Sequence, residues 1–133
     1  MKEHQELLKQ AREARKNSYA PYSGFTVGAA LLARNGRVFT GCNIENASFT
    51  PTCCAERVAI FKAVSEGLRG EDLLAIAVVG GAGEETPRCY PCGVCRQVLA
   101  EFCGESFAVI LSDERGEEET TSLGALLPNR FQL

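Results

Sequence analysis

At 133 residues, with 45% hydrophobic and 23% charged, the chain has the composition of one globular domain with room for a real core. A net charge of −3 and an isoelectric point near 5.3 argue against a nucleic-acid partner, which normally needs a basic face, so a free small molecule is the expected ligand. No apolar run is long enough to span a membrane, and seven cysteines without a signal peptide point to a reduced, cytoplasmic protein.

Leu7, Leu8, Ala11 and Ala14 mark one face of an opening helix that runs out near Asn17-Ser18. Ala20-Pro21-Tyr22-Ser23-Gly24 is a loop, and Phe25 to Ala33 and Val38 to Asn43 read as strands joined by an Asn35-Gly36 hairpin turn. Thr50-Pro51-Thr52 leads into a helix from about Cys54 to Glu66. Its Val58, Ala59, Ile60, Phe61, Ala63 and Val64 are apolar on nearly every side, which predicts burial over most of its surface, in part against another subunit. Leu73 to Val79 is the run of a central strand covered on both faces. After a loop from Gly80 to Arg88, a helix opens at Cys92 or Gly93, with Val94, Val98, Leu99 and Phe102 expected on one face. Phe107 to Leu111 is a further buried strand, and Glu117 to Thr121 an edge strand whose acidic run is expected to be a solvated surface. Ser122 to Leu127 reads as a short last helix stopped by Pro128. This order implies a single layered α/β domain over residues 1–133 with one mixed sheet.

The chemistry lies in Cys54-Ala55-Glu56-Arg57 and Pro91-Cys92-Gly93-Val94-Cys95. Three thiolates can hold one zinc ion and leave its fourth position open for water, as a catalytic site requires. Glu56, two positions after Cys54, is placed to move protons for that water. Cys54 and the Cys92/Cys95 pair also fall at predicted helix N-termini, which favour negative charge. A second reading adds Cys89 and closes the site with four thiolates, giving a structural zinc that catalyses nothing. The Gly93 turn between Cys92 and Cys95, and a Glu56 with no task beside a closed zinc, count against it. Cys42, Cys53, Cys89 and Cys103 are then core or near-surface residues. Zinc with three thiolates carries a formal −1 charge, and Arg57 is the nearest full positive charge in sequence that could donate to the sulfurs. Its plainer role is a solvated helix charge.

Ala20-Pro21-Tyr22-Ser23-Gly24-Phe25, Val27-Gly28-Ala29-Ala30-Leu31, Gly41-Cys42-Asn43-Ile44-Glu45-Asn46-Ala47-Ser48, Cys54-Ala55-Glu56-Arg57 and Pro91-Cys92-Gly93-Val94-Cys95-Arg96-Gln97 follow one another in the order found in a known family. On these blocks the chain resembles the small, homotetrameric cytidine deaminases of pyrimidine salvage over nearly its whole length. The resemblance implies a three-layer α/β/α sandwich with a mixed five-stranded sheet. It implies zinc on Cys54, Cys92 and Cys95, Glu56 as proton shuttle, Asn43 and Glu45 on the ribose, and Phe25 and the Ala55 backbone on the pyrimidine. Phe131 resembles the C-terminal aromatic that reaches a neighbouring subunit's site, so a homotetramer with shared active sites is expected. Read alone, Asn43 to Ser48 is a turn and Phe25 a core strand residue.

Two features depart from the family pattern: Tyr90 stands where a small residue usually precedes the Pro-Cys-x-x-Cys, and the Gly80-to-Arg88 loop is long. The expected reaction is hydrolytic deamination of cytidine and 2′-deoxycytidine to uridine and 2′-deoxyuridine, with release of ammonia. The alternatives are a deaminase of a modified nucleoside such as blasticidin S and, in a different class, a non-catalytic zinc-stabilised interaction domain. The Asn-x-Glu-Asn-Ala-Ser block favours a plain nucleoside.

Overall fold

The apolar run after residue 72 lies in the middle of the sheet, as its lack of polar alternation demands. In the computed structural model, which describes residues 2–133, it is β3 (Leu73–Gly81). The remaining elements are α1 (Lys2–Arg15), β1 (Thr26–Ala33), β2 (Val38–Cys42), α2 (Ala55–Ser65), α3 (Gly93–Phe102), β4 (Ala108–Ser112), β5 (Glu118–Ser122) and α4 (Leu123–Leu126). The strand order is β2-β1-β3-β4-β5, antiparallel except for the parallel pair β3/β4. Parallel neighbours cannot be joined by a hairpin, so the chain crosses over through α3.

Alternation along the strands divides the core in two. Ala29, Leu31, Ile76, Val78, Val109 and Leu111 face the layer of α2 and α3. Ala30, Ala75, Ala77, Val79 and Ile110 face α1, which contributes Leu7, Leu8 and Ala11. The result is the expected α/β/α arrangement around a mixed five-stranded sheet. The helix layers sit close because small residues let them. A Cβ on Gly41 would stand 2.3 Å from the Ala55 carbonyl oxygen and 2.7 Å from the Ala59 amide nitrogen, so the glycine fixes how deeply the start of α2 docks on β2.

The structure departs from the sequence-based expectation at three places. Phe25 lies just before β1 and is 38% exposed, so it is not a core strand residue. The helices bury less than their composition suggests. α2 turns Ala55, Glu56, Ala59, Ile60 and Ala63 inward, leaving Phe61 47% exposed. α3 buries Cys95, Leu99 and Ala100, while Val94 is 56% exposed. A helix apolar all round has one sheet to pack on, so its second stripe stays outside. Phe61, Val94, Val98 and Phe102 line the resulting surface groove of about 430 Å³. Finally, the acidic run on β5 is partnered and not merely solvated. His4 Nδ1 lies 2.9 Å from Glu118, Gln5 donates to the same carboxylate, and Arg88 donates to Glu119. No helix among the described residues is long and apolar enough to cross a membrane.

Candidate active site

The start of β1, the ends of β2 and β3, and the N-termini of α2 and α3 meet along one edge of the molecule. After β2 the chain pairs briefly with itself. Ile44 and Cys53 exchange backbone hydrogen bonds at 2.9 Å in both directions, and Tyr19 brackets the same segment through Asn43 and Glu45. This short bridge holds the Asn43-to-Glu45 segment beside the entry to α2. Cys54 is the N-cap of α2 in extended conformation, and Cys92 is the N-cap of α3 in nearly the same geometry. Neither makes a side-chain capping bond, so both sulfurs are free for another partner. Cys95, three residues on and fully buried, turns its sulfur to the same point.

The sulfur of Cys92 lies 3.8 Å from that of Cys54 and 3.5 Å from that of Cys95, and all three fall within 4.8 Å of one another. Sulfurs about 2.3 Å from one tetrahedral zinc ion would be about 3.8 Å apart, so the triangle fits the metal. Among the described residues it is the only such cluster of ligand atoms. Cys89 is not part of it, so the four-thiolate arrangement is not formed. Arg57 Nη2 donates to Cys54 Sγ at 3.3 Å, while its buried Nε has no hydrogen-bond partner.

Electrostatics set these groups apart from ordinary side chains. Cys54 is brought down to about 5, because the Cys95 thiol donates to it and Arg57 and Cys92 add to that against the cost of burial. Cys95 moves up, through its hydrogen bond to Cys54 and its burial. The two shifts share one cause, the hydrogen bond from the Cys95 thiol to the Cys54 sulfur, whose place a divalent cation in the triangle would take. Glu56, only 4% exposed, is pushed up to about 7 by burial, with the neighbouring Cys54 thiolate adding to the effect. A carboxyl poised near neutrality suits the exchange of protons with a substrate.

The sulfurs open onto a cleft of about 350 Å³, a size suited to a small organic molecule. Phe25, Asn43, Glu45, Ala55 and Glu56 line it together with Cys54 and Cys92. A larger hollow of about 690 Å³ lies between α1 and the β1–β2 hairpin, but no cluster of metal-ligand atoms lies along it. Asn43 already has structural duties: its Oδ1 accepts from Val27 N–H and its Nδ2 donates to Phe25 C=O, each at 2.8 Å. One amide hydrogen stays available to a ligand. Glu45 accepts from the Tyr22 and Ser23 amides at 2.9 and 3.1 Å and from the Ser23 hydroxyl, which holds its carboxyl below the usual range.

Phe131 is not in this cleft. It is 67% exposed, and its carbonyl accepts from Gln97 on α3. Sequence reasoning passed over Ser23, Thr52, Cys53 and Cys89 as cleft residues. Ser23 had a signal, since it stands in the Pro-Tyr-Ser-Gly loop next to Phe25. Cys89 had none, because its place is set by the path of the long loop. Burial pushes the Cys89 thiol up to about 12, so it behaves as an inert neutral wall.

Comparison with known proteins agrees with this geometry. The profile described as "Cytidine and deoxycytidylate deaminase zinc-binding region" matches residues 1–111. The chain is 48% identical over 127 residues to the cytidine deaminase of Sporosarcina psychrophila, covering 96% of this chain and 90% of that protein. It is 49% identical over 129 residues to that of Halalkalibacterium halodurans, covering 97% and 94%. The crystal structure of cytidine deaminase from Burkholderia pseudomallei superposes with a TM-score of 0.88 at 46% identity, over 96% of this chain and 98% of that one.

Metal analysis separates the cysteines. Cys54→Ser, Cys92→Ser and Cys95→Ser should each lose zinc and become less stable, because binding is coupled to folding. Cys89→Ser should keep the wild-type zinc content, and Arg57→Ala should fold but surrender zinc faster to a chelator. Zinc loss in Cys89→Ser at wild-type levels of the other three cysteines would reinstate the closed site.

Proposed function

Since the chain belongs to the zinc-binding cytidine deaminase family, we propose that it hydrolyses cytidine and 2′-deoxycytidine to uridine and 2′-deoxyuridine, releasing ammonia. The observation that carries the reading is the triangle of Cys54, Cys92 and Cys95 beside a nearly inaccessible Glu56 at one end of a nucleoside-sized cleft.

Zinc held by the three sulfurs would act as a Lewis acid that makes a water nucleophilic near neutral pH. The chain supplies the rest. The Glu56 carboxylate takes the proton of that water as its oxygen adds to C4, and delivers a proton to ring N3. In the second half it takes the remaining proton from the new C4 hydroxyl and gives it to the amine as the C4–N bond breaks and the C4 carbonyl forms, so one carboxyl serves as base and acid in turn. Its burial keeps bulk water from competing for the proton. Arg57 offsets the negative charge of the thiolates through its hydrogen bond to Cys54. The remaining amide hydrogen of Asn43 and the Glu45 carboxylate are suited to sugar hydroxyls at the other end of the cleft. Phe25, outside its strand and partly exposed, offers a ring face to the pyrimidine.

We further infer a homotetramer in a reduced, cytoplasmic setting. The groove of Phe61, Val94, Val98 and Phe102 is an unpartnered apolar surface of the kind subunit contacts cover. Phe131, exposed and absent from its own chain's cleft, is suited to completing a neighbour's. All seven cysteines are free, and three serve the proposed metal.

Purified zinc-loaded protein mixed with cytidine should show a fall in the nucleoside's ultraviolet absorbance with stoichiometric ammonia. Glu56→Gln keeps the size of the side chain and removes its basicity. It should retain zinc and lose about 10²–10⁴-fold or more in turnover, and near-normal turnover would sink the mechanism. Phe61→Glu should shift the light-scattering mass from four chains to fewer and weaken nucleoside binding at unchanged zinc content. A fully active wild-type monomer would remove the tetramer from the account.

A further inference from the structure

The two segments that line the metal end of the cleft are Thr52 to Glu56 and Cys89 to Cys92. If Glu56 serves ring N3, as proposed above, then the other edge of C4, with its C5 neighbour and leaving amine, faces the second segment. The large side chain there is Tyr90, 47% exposed and lining the cleft.

The backbone on either side of Tyr90 is tied down. Two residues before it, Arg88 donates to Glu119 on β5 and to both carboxylate oxygens of Glu114 at 3.2 Å. Immediately after it, the Pro91 carbonyl accepts from Arg96 Nε at 2.7 Å, and Arg96 is itself tied to the Leu126 carbonyl at 2.7 Å. Proline fixes its own φ, which removes a further freedom next to the ring. Cys89 on the other side is packed near the sheet, since a Cβ at Gly80 would meet its sulfur at 2.8 Å. The backbone that carries Tyr90 is therefore anchored on both flanks, which fixes where its ring starts from.

On the reading of the site as a cytosine nucleoside deaminase, we propose that Tyr90 is a specificity-determining residue that closes the C5 edge of the base site and restricts the enzyme to cytosines unsubstituted there. The expectation is of steric origin: a rigid wall rejects added bulk, and one carbon in such a site is typically worth about 10–200-fold in kcat/KM.

The test compares kcat/KM for cytidine, 5-methylcytidine and 2′-deoxycytidine in zinc-loaded wild type, Tyr90→Ser and Tyr90→Phe. Tyr90→Ser should raise the 5-methylcytidine to cytidine ratio by about tenfold or more. The 2′-deoxycytidine to cytidine ratio should stay put, because it reports on the far end of the cleft. Tyr90→Phe should keep the wild-type ratios, since bulk and not the hydroxyl sets the limit. An unchanged 5-methyl ratio in Tyr90→Ser, an equal change in both ratios, or a Tyr90→Phe that behaves like Tyr90→Ser would overturn the proposal. A wild-type protein inert toward cytidine would instead overturn the deaminase reading, and the proposal with it.

Discussion

Three sulfurs packed within 4.8 Å of one another beside a buried carboxyl would repel if all were charged, and most of the architecture near them is explained by that constraint. Two helix N-termini point at the cluster, each favouring negative charge by about 0.3–1 kcal/mol. Arg57 adds a full positive charge in contact with Cys54. A divalent cation among the three sulfurs would offset the rest, which is why the triangle reads as a metal site and not as a set of resting thiols. The depth of the α2 N-terminus is set in turn by Gly41, so a residue with no functional group governs where Glu56 stands.

The ligand end of the cleft obeys a different economy. Asn43 and Glu45 are not idle groups waiting for a sugar. They hold the start of β1 and the Tyr22-Ser23 loop, and both residues line the cleft. On the proposed reading, holding the site and contacting a ligand would be joined in the same side chains, and the bonds that hold them keep the cleft preorganised. The metal end is preorganised by the arginine anchors around Tyr90 and Pro91.

Much of this was legible in the sequence because it rests on local rules. Asn35-Gly36 announces the hairpin, and Gly36 does adopt φ +88°. The uninterrupted Leu73 run announces the central strand, and the spacing of Cys92 and Cys95 puts both sulfurs at one helix turn. What could not be read depends on the path of the chain. Cys89 forms a Cys-x-x-Cys with Cys92 at the same spacing as the true pair, and the Gly93 turn argues against it without showing where the loop takes its sulfur. Val94 and Leu99 look alike in composition, yet one faces the sheet and the other faces out, because a helix with two apolar stripes can bury only one against it. The partners of Glu118 and Glu119 lie far away in sequence, so their run reads as bare surface until the sheet edge is assembled.

The central claim is that the sulfur cluster is an open site of three ligands whose fourth position faces the cleft. X-ray absorption at the zinc edge of the purified protein measures it directly. The account predicts three sulfurs at about 2.3 Å and one oxygen at about 2.0–2.2 Å, with the oxygen shell altered when a nucleoside is added. Four sulfurs, unchanged by nucleoside, would contradict it.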